Sequence, residues 1–202
     1  MNRGKFIVFE GIDGSGKSTQ CHLGARVISQ LSKENHVFMT REPFNTPQIR
    51  KRLIGAKKAK ENPEWYLKAF IDDRRRHSKL IKEILSKGFH CVCDRYDLST
   101  YFYQQSQGIT FKKIKKAHKG ILVPDLYLVY VCKPKIAFVR RKKQGATTIF
   151  DKDMPFLAHV NKLYMKSKKF FPERNVVLIN ADNGIDSVFK ETKKHINKLF
   201  KK

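Results

Sequence analysis

Acidic residues are scarce in this chain of 202 residues: 18 Asp and Glu stand against 43 Lys and Arg, a formal charge of +25. That balance favours anionic partners such as nucleotides, nucleic acid or an acidic membrane surface, without choosing among them. The basic excess lies in short runs, including Lys57-Lys58, Lys112-Lys113, Lys115-Lys116, Arg140 to Lys143 and Lys166 to Lys169, so no single tail carries it. Such dispersed lysines read first as a solvated surface, with a nucleic-acid-binding face as the alternative. Long apolar runs are missing too. The first ten residues hold only Phe6 to Phe9, too short for a signal sequence or a membrane span, and a cytoplasmic protein is expected. Cysteine is limited to Cys21, Cys91, Cys93 and Cys132, with no zinc-ligand spacing around His22 or His90, so buried reduced thiols are expected. Internal repeats, low-complexity tracts and linkers are absent, and 41% apolar content over this length fits one domain spanning 1–202.

Five short β-rich runs, at 5–10, 36–41, 90–94, 125–131 and 175–180, alternate with helix-sized gaps. The runs are almost continuously apolar, as strands buried on both faces are, and the gaps are long enough for right-handed crossover helices. The sequence therefore predicts an α/β fold, a five-stranded parallel sheet flanked by helices on both faces. Helical patterns cover 19–31, 64–85, 98–107, 135–143, 153–171 and 185–200, with Gly88, Pro134 and Pro172 as breaks. The basic segment 142–153, which holds Gly145 between two helical patterns, reads as a short lid.

Directly after the first strand comes Gly11-Ile12-Asp13-Gly14-Ser15-Gly16-Lys17-Ser18, followed by Thr19 at the start of a helix. This satisfies G-x-x-x-x-G-K-[ST] in the strand-to-helix setting the motif requires. Its glycines let backbone N–H groups wrap phosphate oxygens, and the helix N-terminus adds positive potential. Lys17 is then placed to neutralise the β- and γ-phosphates of ATP, and the Ser18 hydroxyl to hold Mg²⁺. No base-reading N-K-x-D motif of GTPases is present. At the end of the third strand, Asp94 is either a second magnesium-facing acid or a helix cap. Arg95 beside it either forks onto a phosphate or makes a surface salt bridge.

Taken together, FEGIDGSGKSTQ at 9–20, TREP at 40–43, DRYDLSTYFYQ at 94–104, PDLYLVYV at 124–131 and the basic lid resemble the thymidylate kinase family in order and spacing, over nearly the whole chain. DRYxxSTxxYQ is the most discriminating piece, since generic P-loop NTPases lack it. The resemblance implies a nucleotide-kinase-like, three-layer P-loop fold that transfers the γ-phosphate of ATP to deoxythymidine monophosphate with Mg²⁺, commonly as a homodimer. It implies that Phe70 stacks on the thymine and Arg74 donates to a ring carbonyl; for Phe70 taken alone, core packing is the competing reading. By the same resemblance Arg95 holds the acceptor phosphate, Ser99 and Gln104 line the pyrimidine pocket, and Tyr103 closes on the deoxyribose and excludes a 2′-hydroxyl. Asp13 lies near the acceptor 3′-hydroxyl and the reacting phosphates, while Glu42 and Arg50 border the acceptor site.

Three departures stand out. The two glycines that usually follow REP are Phe44 and Asn45; Phe102 replaces a small residue before the pocket tyrosine; and no arginine occupies the P-loop. The transition-state arginine is then expected from the lid, with Arg140 and Arg141 as candidates; the lid position after Gly145 where relatives often place an arginine reads ATTIF, with Thr148 and Ile149, which leaves either a moved arginine or lysines in its place. The rival readings are a kinase for another pyrimidine nucleoside monophosphate, a deoxynucleoside kinase using Asp94 or Glu42 as base, and a nucleotide-binding protein with a basic nucleic-acid-binding surface.

Overall fold

The computed structural model describes residues 3–55, 61–143 and 153–201. Strand β1 (Phe6–Glu10) is buried at every position because it lies at the centre of a five-stranded sheet of order β2-β3-β1-β4-β5. All four pairings are parallel. The other strands are β2 (Val37–Arg41), β3 (His90–Asp94), β4 (Leu126–Val131) and β5 (Val176–Asn180). The chain runs from β1 outward to β2, returns to β3, and then crosses to β4 and β5 on the other side. That reversal opens a crevice at the carboxyl edge of β1, between the segments that follow β3 and β4.

Helix α1 (Lys17–Leu31) packs between β1 and the last helix. A side chain at Gly24 would put its Cβ 2.6 Å from Phe9 Cζ and 3.1 Å from Ile196 Cδ1, so glycine sets how closely α1 settles on the sheet. Two helices escape the sequence patterns, α2 (Pro47–Gly55) and α5 (Phe111–Ala117). Each buries a single residue, Ile49 or Ile114, which is too little to print a helical period. The long helix α3 (Pro63–Ser86) is followed past β3 by α4 (Asp97–Ser106) and past β4 by α6 (Pro134–Lys143). Pro134 marks the break between β4 and α6 and is itself the first residue of α6, where its missing N–H costs nothing. The pattern at 153–171 is two helices, α7 (Met154–Met165) and α8 (Ser167–Phe170), parted at Lys166; α9 (Ile185–Phe200) ends the fold.

All four cysteines are free and buried. Among the described residues no helix is long and apolar enough to cross a membrane. The Phe111 ring on α5 stacks 5.3 Å from Phe170 on α8, joining two stretches, 108–124 and 154–172, that contain no acidic residue.

Candidate active site

Residues 11–16 turn from β1 into α1 with Gly11, Gly14 and Gly16 at φ of 145°, 82° and 85°. At Gly14 a Cβ would fall 2.2 Å from the Ala137 carbonyl oxygen of α6. Both the left-handed backbone and the close approach therefore require glycine there. Gly16 caps α1 with no side-chain hydrogen bond, so the helix N-terminus stays open to an anion. A cavity of about 480 Å³ lies over this loop, lined on its far side by Arg140, Arg141, Lys143 and the start of α9 from Asn183 to Val188. Lys17 is only 4% exposed, and its Nζ donates to Asp13 Oδ1 at 3.0 Å. Arg95 Nη2 donates to the same oxygen at 2.7 Å. Burial by itself would raise the Asp13 carboxyl, but the charges of Arg95 and Lys17 outweigh it and hold that carboxyl well below the usual range.

Asp94 ends β3 with its Oδ1 buried and without a hydrogen-bond partner among the described residues, while Ser18 sits exposed in the first turn of α1. An orphaned buried carboxylate oxygen and a free hydroxyl are the donor types Mg²⁺ takes. No cluster of three or more His, Cys, Asp or Glu that could hold a metal occurs among the described residues, so the remaining ligands would be phosphate oxygens and water.

Arg95 adopts φ 72°, rare for a side chain of its size. Its backbone N–H donates to the Phe9 carbonyl at 2.9 Å and its Nη1 to Ser99 Oγ at 3.0 Å. Ser99 Oγ in turn donates to Glu10 Oε2 at 2.6 Å. Glu10 is fully buried and also accepts from the backbone of Tyr96 at 2.8 Å and of Ser99 at 3.1 Å, and from the Tyr164 hydroxyl at 2.9 Å. Burial pushes its carboxyl upward, with Ser99, Arg95 and the Tyr96 amide opposing. The sequence reading missed Glu10, although a lone acid inside an apolar strand was the available signal. Ser99 thus reaches the site through Arg95 and Glu10.

On the acceptor side, Phe70 of α3 is half-buried with its ring 6.3 Å from Tyr66. Arg74, one turn on, is 1% exposed. Its Nε and Nη2 both donate to Glu42 Oε2, at 2.8 and 2.5 Å. Removing either partner of such a buried pair costs on the order of 3–5 kcal/mol, because the other charge is left unpaired. Glu42 therefore acts on the site through Arg74. The Tyr103 ring lies beneath the Arg95 guanidinium, 5.4 Å from centroid to Cζ. Gln104 is buried, donating from Nε2 to Gln107 at 2.9 Å, and its Oε1 has no partner among the described residues. Arg50 lies exposed on α2 and is not drawn into this cluster. Arg140 donates to the carbonyls of Ala181 at 2.8 Å, Asp182 at 3.3 Å and Asn183 at 3.1 Å, which ties it to the far wall of the cavity; Arg141 lines the same cavity. Residues 144–152, with Gly145, Thr148 and Ile149, lie outside the described residues.

The thymidylate kinase family model matches residues 9–192, nearly the whole of this sheet and its site. The chain belongs to the thymidylate kinase family. Thymidylate kinase of Caldicellulosiruptor saccharolyticus is 36% identical, covering 99% of each chain, and the probable thymidylate kinase of Pyrococcus horikoshii is 32% identical over 94% of each. The crystal structure of thymidylate kinase from Ehrlichia chaffeensis superposes with a TM-score of 0.76 at 31% identity, covering 96% of this chain and 99% of that one.

Against the thymidylate kinase pattern, the Phe44-Asn45 departure has a local physical account. Asp73 of α3, 1% exposed, accepts from the amides of Phe44 at 2.5 Å and Asn45 at 3.0 Å and from Thr46 Oγ1 at 2.6 Å, while the Phe44 ring stacks on His77 at 4.3 Å. Asp73→Ala is expected to lower unfolding stability by roughly 1–3 kcal/mol, because it strands buried donors; urea unfolding checks it, and an unchanged midpoint would remove Asp73 as the anchor of this loop. Phe102 is fully buried and points toward Tyr164 at 4.8 Å and Phe170 at 6.0 Å. It repacks the core between α4, α7 and α8.

Proposed function

We infer that this chain transfers the γ-phosphate of ATP to deoxythymidine monophosphate, giving deoxythymidine diphosphate and ADP, in a single P-loop kinase domain with a lid at 142–153. The observation that carries the residue assignments is the Lys17–Asp13–Arg95 cluster, which joins the phosphate-binding loop to the segment after β3 at the sheet's switch point. A transferring phosphoryl group held between Lys17 and Arg95 has a cation on its donor side and another on its acceptor side.

An acceptor phosphate oxygen is already a nucleophile, so no general base is required. It attacks the γ-phosphorus as the bond to the bridging oxygen breaks, and ADP leaves with that electron pair. Arg95 holds the incoming phosphate in line, and the backbone amides of 11–16 with Lys17 spread the developing charge. Ser18 and Asp94 would hold Mg²⁺, which supplies charge neutralisation on the β- and γ-phosphates when bound. Arg140 braces the far side of the ATP cavity.

Acceptor choice follows from donor and acceptor chemistry. Phe70 offers a ring face, Arg74 only donors, and the Gln104 Oε1 an acceptor that complements the N3–H of an oxo-pyrimidine. Tyr103 closes on the sugar. The test is ADP formation from Mg·ATP with deoxythymidine, deoxyuridine, uridine and cytidine monophosphates offered separately. Turnover strongest with deoxythymidine monophosphate is expected; no turnover with any of the four would sink the reading.

A further inference from the structure

Arg74 has five N–H donors, and the described residues take four. Nε and one Nη2 hydrogen go to Glu42, the other Nη2 hydrogen goes to the Tyr96 carbonyl at 2.9 Å, and one Nη1 hydrogen goes to His118 Nε2 at 3.0 Å. His118 Nδ1 lies 2.8 Å from the Ile114 carbonyl. A carbonyl only accepts, so Nδ1 carries the proton and Nε2 is the bare acceptor that Arg74 requires. The groups facing this ring are Arg74 from α3, Asp97 from α4, Arg174 ahead of β5 and the Ile114 carbonyl from α5. The Tyr101 ring stacks on it at 4.3 Å. Burial first, and then the Arg74 charge, bring the His118 pKa down to about 3, so the acceptor form persists at working pH.

The opposite side of the guanidinium is clamped as well. Glu42 Oε1 is bound by His77 Nδ1 at 3.1 Å, and His77 Nε2 lies 2.9 Å from Thr40 Oγ1. The guanidinium therefore has one orientation and, among the described residues, one unspent N–H, on Nη1. We propose that His118 is a positioning residue for acceptor-base selection, taking one Nη1 proton of Arg74 so that the last donor is held toward the 4-oxo group of a pyrimidine. A fixed donor discriminates: a 4-oxo group accepts its hydrogen, whereas the 4-amino group of cytosine presents another donor and leaves Arg74 unpaired. The inference rests on reading Phe70 and Arg74 as the base-binding pair.

Two substitutions separate the ring's two bonds. His118→Asn keeps a donor near the Nδ1 position and loses the acceptor for Arg74; His118→Gln keeps an acceptor near the Nε2 position and loses the bond to Ile114. His118→Asn is expected to raise KM for deoxythymidine monophosphate by a factor on the order of ten, the scale of one hydrogen bond to a charged group. Its kcat should stay within about twofold, and its preference over deoxycytidine monophosphate should narrow. His118→Gln should keep wild-type KM despite a lower unfolding midpoint. Equal loss of KM, kcat and unfolding midpoint in both variants, or no change in either, overturns the proposal. Should His118→Asn not fold, His118→Gln alone decides: wild-type KM supports the proposal and a raised KM overturns it. Phe70→Ala, which removes a half-buried ring, tests the underlying reading. If it raises KM while His118→Asn does not, only the positioning role is lost; if neither does, the base-binding assignment fails too.

Discussion

Lys17→Ala is expected to lower kcat by about 10²–10³, the scale of removing one preorganised charge contact from a phosphoryl-transfer site. The lysine is well suited to this test because its role is separable from folding. Its Nζ has one described partner, Asp13 Oδ1 at 3.0 Å, and Asp13 keeps Arg95 at 2.7 Å when the lysine is removed. The carboxylate thus stays ionised and paired, and no buried charge is stranded. The mutation deletes a cation at the mouth of α1, where Gly16 leaves the helix N-terminus uncapped and the backbone amides still attract phosphate. ATP binding should therefore weaken less than turnover does. Initial-rate kinetics with saturating deoxythymidine monophosphate, alongside a thermal unfolding curve, checks both halves. A kcat within tenfold of wild type would remove Lys17 from the transition state.

How much of this was legible beforehand depended on how local the signal was. The P-loop is six residues, 11–16, between one strand and one helix, and its glycines report their own φ angles through residue type. The strands declared themselves because burial on both faces forces near-continuous apolar runs, as in FIVFE and LYLVYV. Helices α2 and α5 did not, since Ile49 and Ile114 are each alone on a buried face and a period needs more than one point. In the acceptor pocket the limit was distance along the chain. Arg74 meets Glu42, Tyr96 and His118 from 32, 22 and 44 residues away, and no spacing rule encodes that meeting. His77 was closer to legible, lying three residues past Arg74 on one face of α3. Glu10 was legible as an anomaly: an ionisable side chain at the end of a fully buried strand costs several kcal/mol unless its oxygens are satisfied, so its position called for donors, and Tyr96, Ser99 and Tyr164 supply them.

Arg95→Gly should separate activity from stability most sharply. Arginine at φ 72° carries a left-handed backbone penalty of roughly 1–2 kcal/mol that glycine does not. It is held there by its amide on the Phe9 carbonyl and by the next amide, that of Tyr96, on Glu10, and both bonds survive the substitution. Against the relieved strain stands the loss of the contacts to Asp13 and Ser99, so the two stability contributions oppose each other. The unfolding free energy should then stay within about 1–2 kcal/mol of wild type. Activity has no such compensation. Glycine cannot hold the acceptor phosphate, and kcat/KM for deoxythymidine monophosphate should fall by about 10²–10³. Arg95→Lys sharpens the point: it restores a positive charge but not the planar fork, and it keeps the unfavourable backbone angle. It should recover part of the lost rate while remaining no more stable than wild type. If Arg95→Gly retained turnover, the acceptor phosphate would have to be held elsewhere. If it unfolded, the strain at residue 95 would be outweighed by its contacts, and the Asp13–Arg95 pair would be a structural bond first.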